Sequence, residues 1–246
     1  MSVVLFLYSS LASFLVLISV LLWAPVVIGL SFIGNTRSIS WSIQHWNRFV
    51  LFIFGCKVRV HGIENYRQDQ SCLVVSNHQS LMDIPVLIGI IPGNLRMVAK
   101  KELFSIPLFG WGIKAAGCIS VDRGSQRAGK EVADQIGVKI RNGLQIWVAP
   151  EGTRSLDGSI GEFKKGSFAV AVQTKVPIQP VVIAGAIDVL NKKSLVPKFG
   201  GTIDFSFCPT IDTQTRTIED RGQLAIETRQ VIVSEYQRLQ EFRKSE

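Results

Sequence analysis

The hydropathy of the chain falls into two regimes. From Val3 to Trp23 every position is apolar or carries only a hydroxyl, and no charged residue occurs before Arg37. At 1.5 Å per residue such a run gives about 30 Å of helix, enough to cross the hydrocarbon core of a bilayer. Pro25 and Gly29 interrupt the run, and a second apolar stretch follows over Val26 to Ile33. Between residues 38 and 54, Ile39, Ile43, Trp46, Val50 and Phe54 recur at three- or four-residue spacing, the stripe of another helix. Trp41, Trp46 and Arg48 suit a membrane interface. Two arrangements fit: one spanning helix, or a hairpin broken near Pro25 with residues 38–54 as its second arm.

After Gly55 the pattern changes. Short β-branched runs predict strands at Lys57–Val60, Cys72–Val75, Leu95–Val98, Cys118–Val121, Gln145–Val148, Ile178–Ile183 and Thr202–Phe207. Helical patterns start near Ser80, Glu102, Ser125, Lys165 and Ile218. The third carries Ala128, Val132, Ile136 and Ile140 on one stripe; the last carries Ile218, Leu224, Ala225, Thr228, Val231, Ile232 and Leu239, with charges between them. Strands alternating with helices predict an α/β domain, a mixed and mostly covered sheet with helices on its faces, preceded by the membrane helix or hairpin. The expected division is a membrane-anchoring segment over 1–55 and an α/β domain over 56–246.

Charge sharpens the membrane reading. Lys and Arg number 27 against 19 Asp and Glu, a net +8. The first charges, Arg37, Arg48, Lys57 and Arg59, are all basic and follow the apolar run. Apolar followed by basic predicts a bilayer, with the body of the protein at its cytoplasmic face. Basic clusters interleaved with aromatics, as a nucleic-acid groove would need, are missing. A signal peptide is disfavoured, because no positive n-region precedes the apolar stretch. Cys56, Cys72, Cys118 and Cys208 have no metal-ligand spacing and read as core thiols. His45 and His61 lack acidic or Cys neighbours and read as interfacial or surface residues; no metal set is expected.

Four clusters can carry chemistry. Asn77-His78-x4-Asp83 follows a buried strand, placing a base beside a carboxylate able to fix its tautomer. Residues five apart on an ideal helix point about 140° away from each other. His78 must therefore sit at or before the helix start, with Asp83 inside it. Lys100 and Arg123 each follow a predicted strand, where ligands gather in open α/β sheets. Pro150-Glu151-Gly152-Thr153-Arg154 follows Gln145–Val148. Gly152 permits close approach, Thr153 offers a hydroxyl and Arg154 a planar fork for phosphate, although the run also fits a turn with Pro at its second position. Pro177 and Pro180 flank a short apolar strand and predict a sheet edge or a tight entry.

These four clusters, in this order, resemble the four blocks of the glycerolipid acyltransferases typified by bacterial 1-acyl-glycerol-3-phosphate acyltransferase. The resemblance covers roughly residues 57 to 210. One departure is Ala149, where the family usually has Phe. The resemblance implies that His78 is the base and Asp83 its orienter. It implies that Glu151, Gly152, Thr153 and Arg154 hold a glycerol-phosphate acceptor, with Lys100 and Arg123 helping to bind phosphate. Lysophosphatidic acid is then the acceptor and acyl-CoA or acyl-carrier protein the co-substrate, with no further cofactor. Backbone N–H groups after His78 are expected to meet the oxyanion. Competing readings are another acceptor for the same chemistry, a hydrolase using Ser80 or water, and a non-catalytic lipid-binding protein.

Overall fold

In the computed structural model the described residues are 3–245 apart from 69, 123–125 and 195, with the side chains of 126–130 also outside the description. Seven strands form one sheet in the order β1-β7-β6-β2-β5-β3-β4. They are β1 Lys57–His61, β2 Leu73–Ser76, β3 Leu95–Lys100, β4 Ile119–Val121, β5 Gln145–Val148, β6 Ile178–Ala184 and β7 Thr202–Phe207. Strands β2 to β6 run parallel, β7 is antiparallel to β6, and β1 is parallel to β7. The sheet is therefore mixed, as the sequence predicts.

Side chains alternate across a strand, and the two faces feed two cores. Val74 and Trp147 face one layer; their neighbours Leu73, Val75, Ile146 and Val148 face the other. The first layer holds α1 Val3–Ile33, α2 Thr36–Ile53, α3 Asp83–Ile90, α4 Phe109–Ala115 and the short α7 Ala186–Val189. The second holds α5 Gln126–Arg141, α6 Gly166–Thr174 and α8 Arg221–Lys244. Val132, Ile136 and Ile140 pack as their stripe requires; the side chain of Ala128 lies outside the described residues. Both faces being covered explains why β2, β5 and β6 are buried at every position and read as continuous apolar runs.

Of the two arrangements expected for the N-terminus, the one broken near Pro25 is not seen. Helix α1 runs through Pro25 without interruption. The chain turns at Gly34, where φ is +70°, and Asn35 caps α2 by accepting the Ser38 N–H at 3.1 Å. The stripe Ile39, Ile43, Val50 and Phe54 is buried in the protein core. Trp46 stacks on Trp23 with ring centroids 4.5 Å apart and donates to Ser19 Oγ. Gly112 of α4 lets α1 approach: a Cβ there would lie 3.1 Å from Ala24 and from Trp23. Helix α1 is the one helix among the described residues long and apolar enough to cross a membrane.

Two further expectations change. The helix predicted from Glu102 is only a 3-10 turn over Lys101–Ser105; Pro107 forces Ile106 to an extended conformation, and α4 starts afresh beyond it. The sheet edge predicted from Pro177 and Pro180 is wrong, since β6 lies between β7 and β2. Pro180 is tolerated because the β7 ladder begins only at Val181, and the Pro180 carbonyl still accepts the Cys208 N–H at 3.0 Å. His61, read as an interfacial or surface residue, is half-buried and bonds at 2.9 Å to Asp204, a fully buried carboxylate 143 residues away.

Candidate active site

The parallel strands β2, β3, β5 and β6 end on one edge of the sheet, and the predicted chemistry collects there. His78 lies two residues beyond β2, and Asp83 is the first residue of α3. Residues 77–82 form an irregular turn, so the pair escapes the divergence a helix would impose. His78 Nδ1 lies 2.8 Å from Asp83 Oδ2, and that same oxygen accepts the backbone N–H groups of Gln79 and Ser80, each at 2.8 Å. A carboxylate facing Nδ1 places the ring proton there and leaves the lone pair on Nε2. His78 is 8% exposed and Asp83 1%. Asp83 Oδ1 is buried and meets no donor among the described residues.

The ring is held from other sides too. It meets the Trp147 ring in a T-shaped contact with centroids 5.8 Å apart, and the Trp147 Nε1–H is tied to Ser76 Oγ at 2.9 Å. Asn77 exchanges two hydrogen bonds with the backbone of Ile183, fixing the end of β2 against β6.

Glu151 is turned inward. Oε1 accepts the His78 N–H at 2.9 Å and Oε2 the Gly161 N–H at 3.0 Å. Burial pushes its carboxyl up, while the Gly161 and His78 N–H groups pull it down. The Pro150 run is indeed a turn: the Gly152 N–H reaches the Ala149 carbonyl at 3.0 Å. Gly152 has φ +77°, and a Cβ there would meet Lys164 Nζ at 2.8 Å. The following Ser155 N–H bonds to the His78 carbonyl at 2.9 Å, so the loop folds back onto the base.

Thr153 is exposed and Arg154 half-buried. Lys192, which the sequence reading passed over, donates from Nζ to Thr153 Oγ1 at 3.1 Å and to the Arg154 carbonyl at 2.7 Å. It follows α7, eight residues beyond the end of β6, and the turn of the chain there brings it to this loop. Lys100 ends β3 on the same edge, with Nζ 3.2 Å from Glu102. Arg123 lies outside the described residues.

Other nucleophiles are occupied. Ser80 is fully buried, donates to the Leu190 carbonyl at 2.6 Å and accepts the Met82 N–H. Burial raises the thiols, Cys56 to about 11 and Cys72 and Cys208 to about 12, which suppresses thiolates. Of the backbone donors after His78 expected for an oxyanion, the N–H groups of Gln79, Ser80 and Met82 bond within the protein. What remains is an imidazole without an adjacent free nucleophile among the described residues, an arrangement suited to activating a hydroxyl brought by a substrate.

Comparison with known proteins agrees with this chemistry. The family model described as Acyltransferase matches residues 57–184. Human 1-acyl-sn-glycerol-3-phosphate acyltransferase alpha is 32% identical over 197 residues, covering 77% of this chain and 67% of that protein. The crystal structure of the 1-acyl-sn-glycerophosphate (LPA) acyltransferase from Thermotoga maritima superposes with a TM-score of 0.83 at 28% identity, covering 96% of each chain.

Proposed function

The chain belongs to the acyltransferase family, and from that premise we propose that it transfers an acyl chain from acyl-CoA or acyl-carrier protein to the sn-2 hydroxyl of 1-acyl-glycerol-3-phosphate, giving phosphatidic acid. The observation that carries the reading is the 2.8 Å contact between His78 Nδ1 and Asp83 Oδ2, beside the loop that carries Arg154.

In this mechanism His78 Nε2 removes the proton from the acceptor hydroxyl. Asp83 holds the imidazole and stabilises it once charged. The oxygen attacks the thioester carbonyl, and the tetrahedral adduct expels the thiolate, which takes the proton back from His78. No acyl-enzyme is needed, because the substrate itself supplies the nucleophile. Arg154 and Lys100 are the groups suited to the acceptor phosphate: a guanidinium fork matches phosphate oxygens, and an ammonium adds charge. Arg123 belongs to the same proposed set. Thr153 offers its hydroxyl, and Gly152 and Glu151 shape the loop.

The membrane fits this reading. Acceptor and product are both lipids, so α1 would hold the site where they reside. Charges that begin only at Arg37 support a catalytic body at the cytoplasmic face of the cell inner membrane.

The test is an acceptor panel (lysophosphatidate, glycerol-3-phosphate and a lyso amino-lipid) with acyl-CoA and acyl-carrier protein run side by side. His78→Ala serves as the control. Turnover with lysophosphatidate that is lost in His78→Ala supports the proposal. Free fatty acid released without acceptor, or turnover retained in His78→Ala, would overturn it.

A further inference from the structure

The Acyltransferase match ends at Ala184, yet α8 lies beyond it and reaches the catalytic edge. Arg229 Nε donates to the Gly161 carbonyl and Nη2 to the Ile160 carbonyl, each at 2.7 Å. The Gly161 N–H then bonds Glu151 Oε2 at 3.0 Å, and Glu151 Oε1 accepts the His78 N–H at 2.9 Å. A second path runs beside the first. Tyr236 OH donates to Gln79 Oε1 at 3.2 Å, and Gln79 Nε2 donates to the Gly158 carbonyl at 2.6 Å. Arg229 and Tyr236 stand seven residues apart, on one face of the helix. Both paths meet in the loop 158–161 and end on His78 or on Gln79 beside it.

We infer that α8 is a positioning element of the active site, with Arg229 setting the place of His78 through Gly161 and Glu151, and Tyr236 doing so through Gln79. This rests on the reading of His78 as the base. The chemistry favours arginine at 229: a planar fork satisfies two successive carbonyls at once, and a lysine ammonium cannot reproduce that geometry. Glu151 is the intermediary because neither of its oxygens is idle. If the loop shifts, Oε2 loses its partner, the carboxylate turns, and the His78 backbone loses its anchor while the Asp83 bond remains. The base then stays correctly polarised but is displaced from the hydroxyl.

The test uses the full-length protein in phospholipid vesicles, with lysophosphatidate as acceptor and both acyl thioesters as donors. Arg229→Met should lower kcat about tenfold or more, toward the 10²-fold that about 1 Å of misplacement costs. The KM for lysophosphatidate should stay within about twofold of the original, as expected when binding is untouched. Arg229→Lys should recover part of kcat. Tyr236→Phe should show a smaller loss, again in kcat. Combining Arg229→Met with Glu151→Gln should give no more loss than the worse single variant, since both break one path. A loss that sits in KM, or losses that multiply in the double variant, would overturn the inference. So would unchanged kcat in Arg229→Met, or in Arg229→Lys and Tyr236→Phe should the methionine variant fail to fold. The His78→Ala control separates the two levels: with that control inactive, wild-type kcat in the Arg229 variants refutes α8 alone, whereas an active control removes the base itself.

Discussion

A single oxygen of Asp83 accepts three hydrogen bonds, one from His78 Nδ1 and two from the backbone N–H groups of Gln79 and Ser80. The carboxylate thus fixes the ring and the path of the chain around it together. Asp83→Asn keeps the shape but removes the charge, and its amide can present a donor where an acceptor is needed. We expect kcat to fall about 10²- to 10⁴-fold, the range associated with general base catalysis. Part of that loss should come from a reversed His78 tautomer. Steady-state kinetics on membranes, with circular dichroism as a fold check, measures this; kcat within a few-fold of the original would remove Asp83 from the mechanism.

Arg154 has a different expected signature. Its carbonyl is held by Lys192 and its neighbour Ser155 is held by His78, so the backbone is set while the guanidinium is the part suited to phosphate. Charge-assisted hydrogen bonds contribute about 1.5–3 kcal/mol. Arg154→Ala should therefore raise the lysophosphatidate KM roughly 10- to 100-fold, with a smaller loss in kcat. An unchanged acceptor KM would locate the phosphate elsewhere.

Local signals account for what the sequence revealed. Leu73-Val74-Val75 reads as a buried strand because both faces of β2 are covered, and the His78–Asp83 spacing alone demands a turn before the helix. Misreadings arose where tertiary context overrides a local rule. Pro25 does not break α1, and Pro180 sits inside the sheet because it meets β7 where the ladder ends. Other features have no local signature at all. Lys192 reaches Thr153 across 39 residues, Arg229 reaches Gly161 across 68, and His61 reaches Asp204 across 143. Their positions follow from strand order, which hydropathy does not encode.

Asp204 should give the protein an acid-sensitive element remote from catalysis. Burial would raise its carboxyl, but donors from Arg59, His61 and Arg243 outweigh that and hold it below the usual carboxylate range. A depressed folded pKa adds stability that is present above the ordinary value near 3.9 and lost as pH falls through the depressed one. Asp204→Asn should therefore lower the melting temperature at pH 7, with about 3 kcal/mol lost when a buried pair is broken. The gap to the original protein should narrow as pH falls from 5 towards 3. Melting curves across that range decide it; a gap that stays constant with pH would contradict the ion-pair reading.

Asn77 stands between stability and catalysis, and its substitution tests how the two are joined. Its amide donates to the Ile183 carbonyl at 2.8 Å and accepts the Ile183 N–H at 3.0 Å, so a side chain takes the place of the next ladder step between β2 and β6. The site is fully buried. Asn77→Ala orphans one backbone donor and one acceptor, each costing about 1–3 kcal/mol. Asn77→Asp should do no better: it can still accept the N–H, but it sets a carboxylate oxygen against the Ile183 carbonyl, burying a charge without a partner. Because His78 is the next residue, the freed end of β2 carries the base with it. Both variants should lose melting temperature and also kcat, with the kcat loss persisting well below the unfolding transition. Normal kcat in a destabilised Asn77→Ala protein would show that the Asp83 and Glu151 contacts hold His78 without help from the strand.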